Sequence, residues 1–533
     1  MTDDGTKRPQ LVGAMLEPSS YPHTPPSVEL RETHISWVFL AGDLAYKVKK
    51  PIVLPFLDYG TPSRRHEMCR EEVRLNRRLA PQIYLGVVGI ARSEDRYTLT
   101  SEDDPVAIEY AVEMRRVAEG RSLAALANRG ELAPPRVEAV ARRLARFHAE
   151  APVAPAERRE LDILVATLEE NLTTLREAGV GILGGGRLDA AERFTRKFLA
   201  ARREQLEARA RAGLVRDCHG DLRAEHVIVP AHDPLYVYDC VEFDPALRQI
   251  DVAADLAFLV MDLVRLGAEA AAVQLIEGYR QAGGDPGDDS LILFFASYRA
   301  WVRAKVAALR ALELGEEDAS LRAREDEARE LLGLGHRFAW RARRPLLLII
   351  CGVAGAGKTT LADRLEELSG WAHISSDLTR KGLAGITPTG RGSAEHYSSE
   401  MTTRTYREMG RAARHELERR GAAIVDATFH RRSERAAFED GLGGQYSPRL
   451  LVECTAPPEV LLSRARAREV ERDRVSDAGA AVVQRQLDDS ESFAEVRAGA
   501  RMLLVTEASP DDLIGEVEAF VDRSIWRSAP RPR

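Results

Sequence analysis

Cysteine is scarce in this sequence. There are five in 533 residues (Cys69, Cys218, Cys240, Cys351, Cys454), an odd number, widely spaced and without a C-x-x-C pair. That argues against a disulfide framework or a zinc site and fits a reducing compartment. Long apolar runs are missing too. None reaches the roughly 18 residues of a membrane span, and the opening MTDDGTKRPQ lacks the apolar run of a secretory signal. The expected setting is the cytoplasm, with no membrane partner. Neither sign of charge dominates: 76 basic residues stand against 83 acidic, a net of −7. This argues against a dedicated nucleic-acid coat and disfavours nucleic acid as a partner. Nor is there an internal repeat or a low-complexity tract. What is present, 44% apolar and 30% charged residues, is the composition of a folded globular chain. At roughly 150 residues per domain its length suits three or four domains or lobes.

Strand patterns dominate first. HISWVFLAG-DLAYKVKK reads as two strands joined at Gly42-Asp43. A helix is predicted over 62–79, where Met68, Val73, Leu75 and Leu79 share a face. Strand-like YLGVVGI, RYTLT and AIEYAVEM follow, and after about residue 120 the chain turns to Ala/Arg/Leu/Glu-rich helices. An all-strand interruption is predicted over 217–238, and two helices over 290–314 and 316–334. These patterns divide the chain into a strand-rich lobe (1–120), a helical lobe (121–335), a basic linker HRFAWRARRP (336–345) and a final unit (346–533). In that last unit five short apolar strands alternate with helices, the pattern of a parallel sheet covered on both faces.

The most specific motif opens the final unit. Residues 352–359 read GVAGAGKT, after the strand LLLII and before the helix TTLADRLEEL. Gly352, Gly355, Ala356 and Gly357 let the backbone wrap an anion, so that successive N–H groups and the helix N-terminus at Thr360 face a phosphate. Lys358 would reach the outer phosphates, and the Thr359 hydroxyl would hold Mg²⁺. Strand ends in such a sheet face the ligand crevice. Asp377, at the end of the second strand, can therefore take a proton from an acceptor hydroxyl, and Arg380, one turn on, can clamp an anionic substrate. Asp426 ends the next strand, where it can fix Mg²⁺ or orient substrate beside Thr428. An alanine follows Asp426, so the acidic pair of motor-type ATPases is missing. Arg464 and Arg468, four apart on one helix, can close as a lid.

GVAGAGKT, SDLTR, VDATF and the R-x-x-x-R lid followed by Ser476-Asp477-Ala478 resemble the P-loop small-molecule kinases, which include gluconate kinase, chloramphenicol phosphotransferase, zeta-toxin kinases and polynucleotide kinase domains. The resemblance covers about a third of the chain. It implies ATP and Mg²⁺ as cofactors, Asp377 as general base and Arg380 as acceptor-binding.

A second constellation lies upstream. Asp217-Cys218-His219-Gly220-Asp221 runs into a strand, and a second strand, LYVY, ends at Asp239. Such a hairpin sets a loop carboxylate beside a strand-end carboxylate, one to accept a hydroxyl proton and the other to hold a metal. The pattern resembles the aminoglycoside phosphotransferase-like branch of the protein-kinase fold, whose loop reads H-G-D-x-x-x-x-N. By that match Asp221 is the base, Asp239 the metal ligand, Lys47 the phosphate-binding lysine and Glu72 its partner, with Lys49, Lys50 and Glu71 as adjacent competitors. Glu113 and Met114 would lie at the adenine-facing hinge. Asp251 would be structural, a helix N-cap. Two departures stand out. Gly42 is alone where a glycine-rich loop would be, and His226 occupies the metal-binding Asn position. Imidazole is a poor ligand for Mg²⁺, which leaves one well-held metal, help from Glu225 or Glu242, or nucleotide binding without transfer.

With YPH (21–23), THISWVFL and YKVKKP, the whole chain resembles bacterial fusions of an aminoglycoside phosphotransferase-like domain and a P-loop kinase. The resemblance implies a multidomain α+β and α/β protein, a kinase-like bilobal domain followed by a P-loop parallel-sheet domain. Three functions compete: two-site phosphoryl transfer from ATP to hydroxyls of small-molecule acceptors, a P-loop kinase regulated by a nucleotide- or ligand-sensing first domain, and a nucleic-acid end kinase. The acceptor, the choice between ATP and GTP, and the oligomeric state are not set by these motifs.

Overall fold

The computed structural model describes residues 10–54, 57–93, 96–231, 234–314, 318–390, 394–444, 448–469 and 479–526, with Ala394, Arg468 and Glu469 as backbone only. The fold is multidomain, α+β and α/β, and the chain forms two compact units: Met1–Leu164 with Gln205–Gly287, and Val165–Glu204 with Asp288–Arg533.

In the first unit an antiparallel sheet runs Val28–Glu32, Ser36–Ala41, Leu44–Lys49, Ala107–Arg115, Tyr84–Ser93, Arg96–Ser101. Gly42, at φ +66°, makes the hairpin between the second and third strands. Alternation divides the side chains. Phe39, Ala41, Tyr46 and Val48 pack with Tyr21 and Trp37 on one face. Leu40, Ala45, Val112 and Met114 pack with Cys69 and Val73 on the other. Helix Pro62–Asn76 lies on that second face; Thr61 caps it by accepting from the Arg64 amide, and Pro62 supplies a preset first turn. Lys47 and Lys49 share the parity of Ala45, so both aim at this helix.

The rest of the unit is helical, and its centre is Val252–Arg265, buried over 12 consecutive residues from Val252 to Leu263. The strand-only reading of 217–238 is corrected. Among the described residues of this stretch, only Val227–Ile228 with Tyr236–Val237, and Val215–Asp217 with Gln249–Asp251, form ladders. Between them the backbone is held by side chains instead. Asp255 accepts from the amides of His219 (3.0 Å) and Gly220 (2.9 Å), and Asp262 from that of Ala224 (2.9 Å).

In the second unit all five expected strands form one parallel sheet, in the order Ala372–Ser375, Ala422–Asp426, Leu346–Cys351, Arg449–Thr455, Arg501–Val505. The first strand in sequence is thus central, and the loop after it leaves the sheet where the chain's winding reverses. Leu346, Leu348 and Ile350 face one core; Leu347, Ile349 and Cys351 face the other.

The linker expected at 336–345 is corrected too. Helix Leu321–Ala342 runs through most of it, with Phe338, Ala339, Trp340, Ala342 and Arg343 buried. Trp340 packs edge-on against Trp371 at 5.4 Å, and Arg343 forms a two-point ion pair with Asp522 (2.7 and 3.0 Å). This is why the helices Asp289–Leu312 and Leu321–Ala342 group with the parallel sheet, and not with the first unit as the boundary at 335 anticipated. All five cysteines are free and buried. Among the described residues no helix is long and apolar enough to cross a membrane.

Candidate functional sites

In the second unit the bend after Cys351 needs glycine. Gly352 has φ +129°, and a Cβ there would lie 2.2 Å from the Cys454 carbonyl oxygen; Gly355 and Gly357 are at +84° and +81°. Gly357 is also the N-cap of helix Lys358–Ser369, so the loop delivers its amides to a helix N-terminus. Within the loop the Ala356 amide donates to Val353 (3.2 Å), and the Ala354 amide donates to Gln486 Oε1 (2.8 Å). Lys358 Nζ donates to the Val353 carbonyl at 3.1 Å. Thr359 Oγ1 donates to Asp426 Oδ2 at 2.6 Å, while Thr360 is exposed beside it. Burial alone would raise the Asp426 pKa. His373, with Nε2 at 3.5 Å, the Lys358 charge and the Thr359 hydroxyl outweigh it and hold the carboxyl below its usual range.

Strand register sets Ser375 beside Asp426, so Asp377 opens helix Ser376–Leu383 two residues past that point, half-buried. Arg380 donates to the His396 carbonyl (3.1 Å) and Thr402 Oγ1 (3.2 Å), and its guanidinium lies over Tyr397 at 5.1 Å. Thr428 Oγ1 is 2.9 Å from Tyr406 OH and 3.2 Å from His430 Nδ1. Arg464, expected to close as a lid, lies beside the loop. Its guanidinium donates to Thr506 Oγ1 (3.0 Å) and O (2.6 Å) and approaches the Gly355 carbonyl at 3.5 Å, so these oxygens hold it against the flank of the loop. The Arg468 side chain and Ser476-Asp477-Ala478 lie outside the described residues.

In the first unit Lys47 Nζ bridges Glu72 Oε1 and Asp239 Oδ1, each at 2.8 Å. Burial opposes its charge, but Asp239, Glu72 and Glu242 outweigh burial and raise its pKa well above the ordinary lysine value. Lys49, fully buried, takes the other Glu72 oxygen (2.8 Å), Glu242 and Tyr59 OH (3.3 Å). Lys50 pairs with Glu32, and Glu71 with Arg74 and Arg248. Of the competing lysines, then, Lys47 is the one on Asp239. Asp239 itself has φ +65°, an uncommon conformation for a non-glycine residue.

Asp221 Oδ2 accepts from Arg223 Nε at 3.0 Å. Burial pushes the Asp221 pKa up, and Arg223 and His226 more than reverse it, leaving it below the usual carboxylate range. His219 is buried; its Nδ1 accepts from the Asp221 amide (3.3 Å) and its Nε2–H donates to Tyr238 O (3.0 Å), and desolvation pushes its pKa down to about 4.

The hinge pair divides between two faces, and the metal helpers are otherwise engaged. Glu113 pairs in register with Tyr46 and bonds its hydroxyl (3.1 Å), which takes the carboxylate to the face away from Lys47; Met114 stays on the Lys47 face. The metal role of His226 does not fit. Nδ1–H donates to the Asp221 carbonyl (2.9 Å), and Nε2 accepts from Arg223 (3.0 Å). Glu242, the alternative helper, is committed to Lys49 and Tyr59. Asp251 caps its helix through the Ala253 amide (2.8 Å), as expected. Sequence reasoning missed Asp255, Asp262 and His148, although Asp255 and Asp262, which with the opening Asp251 interrupt the otherwise apolar DVAADLAFLVMDL, were a signal. It also missed Arg223, Gln486, Tyr406 and His373.

The AAA domain family matches residues 347–492. The uncharacterized protein Rv2004c of Mycobacterium tuberculosis is 31% identical over 511 residues, 95% of this chain and 96% of that protein. The chain belongs to the family of that mycobacterial protein. Among solved structures, this chain is similar to a choline/ethanolamine kinase family protein of Mesorhizobium loti, at 15% identity and a TM-score of 0.35, over 61% of this chain and 99% of that one. A sugar kinase of Janibacter sp. is 17% identical, TM-score 0.26, over 33% of this chain and 94% of that one.

Proposed function

We propose that the protein is an ATP-dependent phosphotransferase with a nucleotide site in each unit, moving the γ-phosphoryl group to hydroxyls of small-molecule acceptors in the cytoplasm. The observation that carries this reading is the phosphate loop of the second unit: three left-handed glycines, an N-terminal helix turn, and the Thr359–Asp426 contact at 2.6 Å beside Lys358. A cradle that a Cβ would fill, facing amides, an ammonium and a hydroxyl–carboxylate pair, fits a triphosphate with Mg²⁺. Lys358 and the amides would hold the phosphates, and Thr359 and Asp426 the ion. In the first unit Lys47 would hold phosphate and Asp239 the ion. Bound MgATP supplies the phosphoryl group and a cation that offsets its charge. The chain's own part is to place an ionised carboxylate, Asp377 or Asp221, where an acceptor hydroxyl can lose its proton, and to keep water out.

A second reading makes the first unit a nucleotide-sensing module, and the Arg223–Asp221 ion pair favours it because it occupies the proposed base. Turnover of ATP over a metabolite panel separates the two. Two-site transfer expects Asp221→Ala and Lys358→Ala each to abolish phosphorylation of a different acceptor. If Asp221→Ala leaves all transfer intact while Lys358→Ala removes it, the sensing reading replaces the first.

A further inference from the structure

The first unit brings Asp221 and Asp239 together around one imidazole. His226 Nδ1 is 3.7 Å from Asp221 Oδ2, and Nε2 is 3.6 Å from Asp239 Oδ2. Two facing carboxylates call for cations. On the Asp239 side the cation is Lys47, at 2.8 Å. On the Asp221 side it is Arg223, which spends Nε on Asp221 Oδ2 and NH2 on His226 Nε2, each at 3.0 Å, and adds an ion pair with Glu225. The local backbone builds this arrangement: the Arg223 amide donates to Asp221 O (2.9 Å) and the His226 amide to Arg223 O (3.0 Å), so the chain folds back and carries both side chains over the carboxylate. Arg223 is mostly buried, at 21% side-chain exposure.

The donor set around Asp221 is therefore closed to a second divalent ion. Protein-kinase sites hold two ions with a strand-end Asp and a loop Asn. Here the loop position offers a nitrogen where Mg²⁺ prefers oxygen, its lone pair already accepts a hydrogen bond, and the donor of that bond is a guanidinium that stays charged at any working pH.

We propose that Arg223 takes the place of the second divalent ion in this site: its guanidinium, oriented by His226, is the fixed cation over Asp221, and one ion only binds, at Asp239. The Arg/His pair is then a coupled substitution, since arginine supplies the charge and histidine, accepting at Nε2, aims it. This rests on the reading of the first unit as a MgATP site.

The test counts ions and needs no turnover. Full-length protein carrying Lys358→Ala and Thr359→Ala, to disarm the phosphate loop, is titrated with Mn²⁺ in the presence of a non-hydrolysable ATP analogue, and bound Mn²⁺ is read by electron paramagnetic resonance. One ion per chain is expected, lost on adding Asp239→Asn, and rising to two when Arg223→Ala and His226→Asn are added instead. Two ions in the parent, both lost with Asp239→Asn, overturn the inference and leave the nucleotide-site reading standing. A count that stays at one in the Arg223→Ala/His226→Asn protein also overturns it. No Mn²⁺ dependent on Asp239 removes the nucleotide-site reading and the inference together. Thermal melts of each variant show that it folds; if Asp239→Asn does not, the comparison of the parent with Arg223→Ala/His226→Asn decides alone.

Discussion

The first unit gathers positive charge from side chains, Lys47 and Arg223, set directly among carboxylates, whereas the second gathers it from backbone amides around Gly352, Gly355 and Gly357, with Lys358 resting on a carbonyl. A site made of buried ion pairs is also a structural element, because each charge compensates another. A site made of a loop backbone can lose its lysine and keep its fold. Under the proposed two-site reading, the same ligand chemistry has different consequences for stability in the two halves of the chain.

The largest effect expected from this contrast is on Lys47→Ala. It leaves Glu72, fully buried, with one cation where it had two, and takes from Asp239 the lysine it bonds. Breaking a buried pair in this way costs about 3–5 kcal/mol. Lys358→Ala removes one hydrogen bond to Val353 and should cost about 1 kcal/mol. Hydrogen exchange resolved over peptides of each unit measures both. Equal losses would break the comparison.

Proton linkage sharpens it. His219 titrates at about 4 in the folded chain against an ordinary 6.5, and His336, in the second unit, at about 3, both through desolvation. Between those values the unfolded chain binds the proton first, so this contribution is complete above pH 6.5 and disappears as pH falls toward 4. For His219 it amounts to up to about 3 kcal/mol. His219→Gln should flatten the acid limb of the first unit's stability curve alone, and His336→Gln that of the second. His373, beside Asp426 and Asp363, is shifted upward, so its contribution is present in acid and fades as pH rises.

Glycine substitution gives a smaller contrast. Gly352→Ala meets the Cys454 carbonyl at 2.2 Å and φ +129°, and strain of about 1–3 kcal/mol is expected, together with loss of nucleotide affinity in the second unit only. Gly42→Ala, at φ +66° with Pro25 3.8 Å away, should cost about 1–2 kcal/mol and leave that affinity unchanged. Melting curves and ATP calorimetry on the two variants check this.

These contrasts follow how each half could be read from its sequence. Period-two alternation and GVAGAGKT located the sheets, the hairpin at Gly42 and the phosphate loop, because those features depend on local backbone geometry. The linker reading failed because Trp340 and Arg343 find their partners, Trp371 and Asp522, at 31 and 179 residues' distance. Spacing carries no trace of such pairings. The choice among Lys47, Lys49 and Lys50 stayed open for the same reason: Asp239, which distinguishes them, lies 192 residues from Lys47. His226 was legible as a departure, yet the arginine that makes sense of it looked like one more charged residue in an arginine-rich chain.

The smallest effect concerns Gln486. Its Oε1 accepts the Ala354 amide at 2.8 Å, so one of the loop's donors already has an oxygen on it, much as Lys358 has Val353. If nucleotide must displace that oxygen, removing it frees the amide, and the net worth of one such bond is about 0.5–1.5 kcal/mol. Gln486→Ala should then tighten ATP at the second unit by about 2- to 10-fold in calorimetry, with the first unit's site unchanged. Unchanged affinity would mean that the Gln486–Ala354 bond persists beneath bound nucleotide, and weaker affinity that the carboxamide itself helps to hold the phosphates. In either case the second unit would resemble the first more than its glycines suggest, since a side chain would then share the work of its backbone cradle.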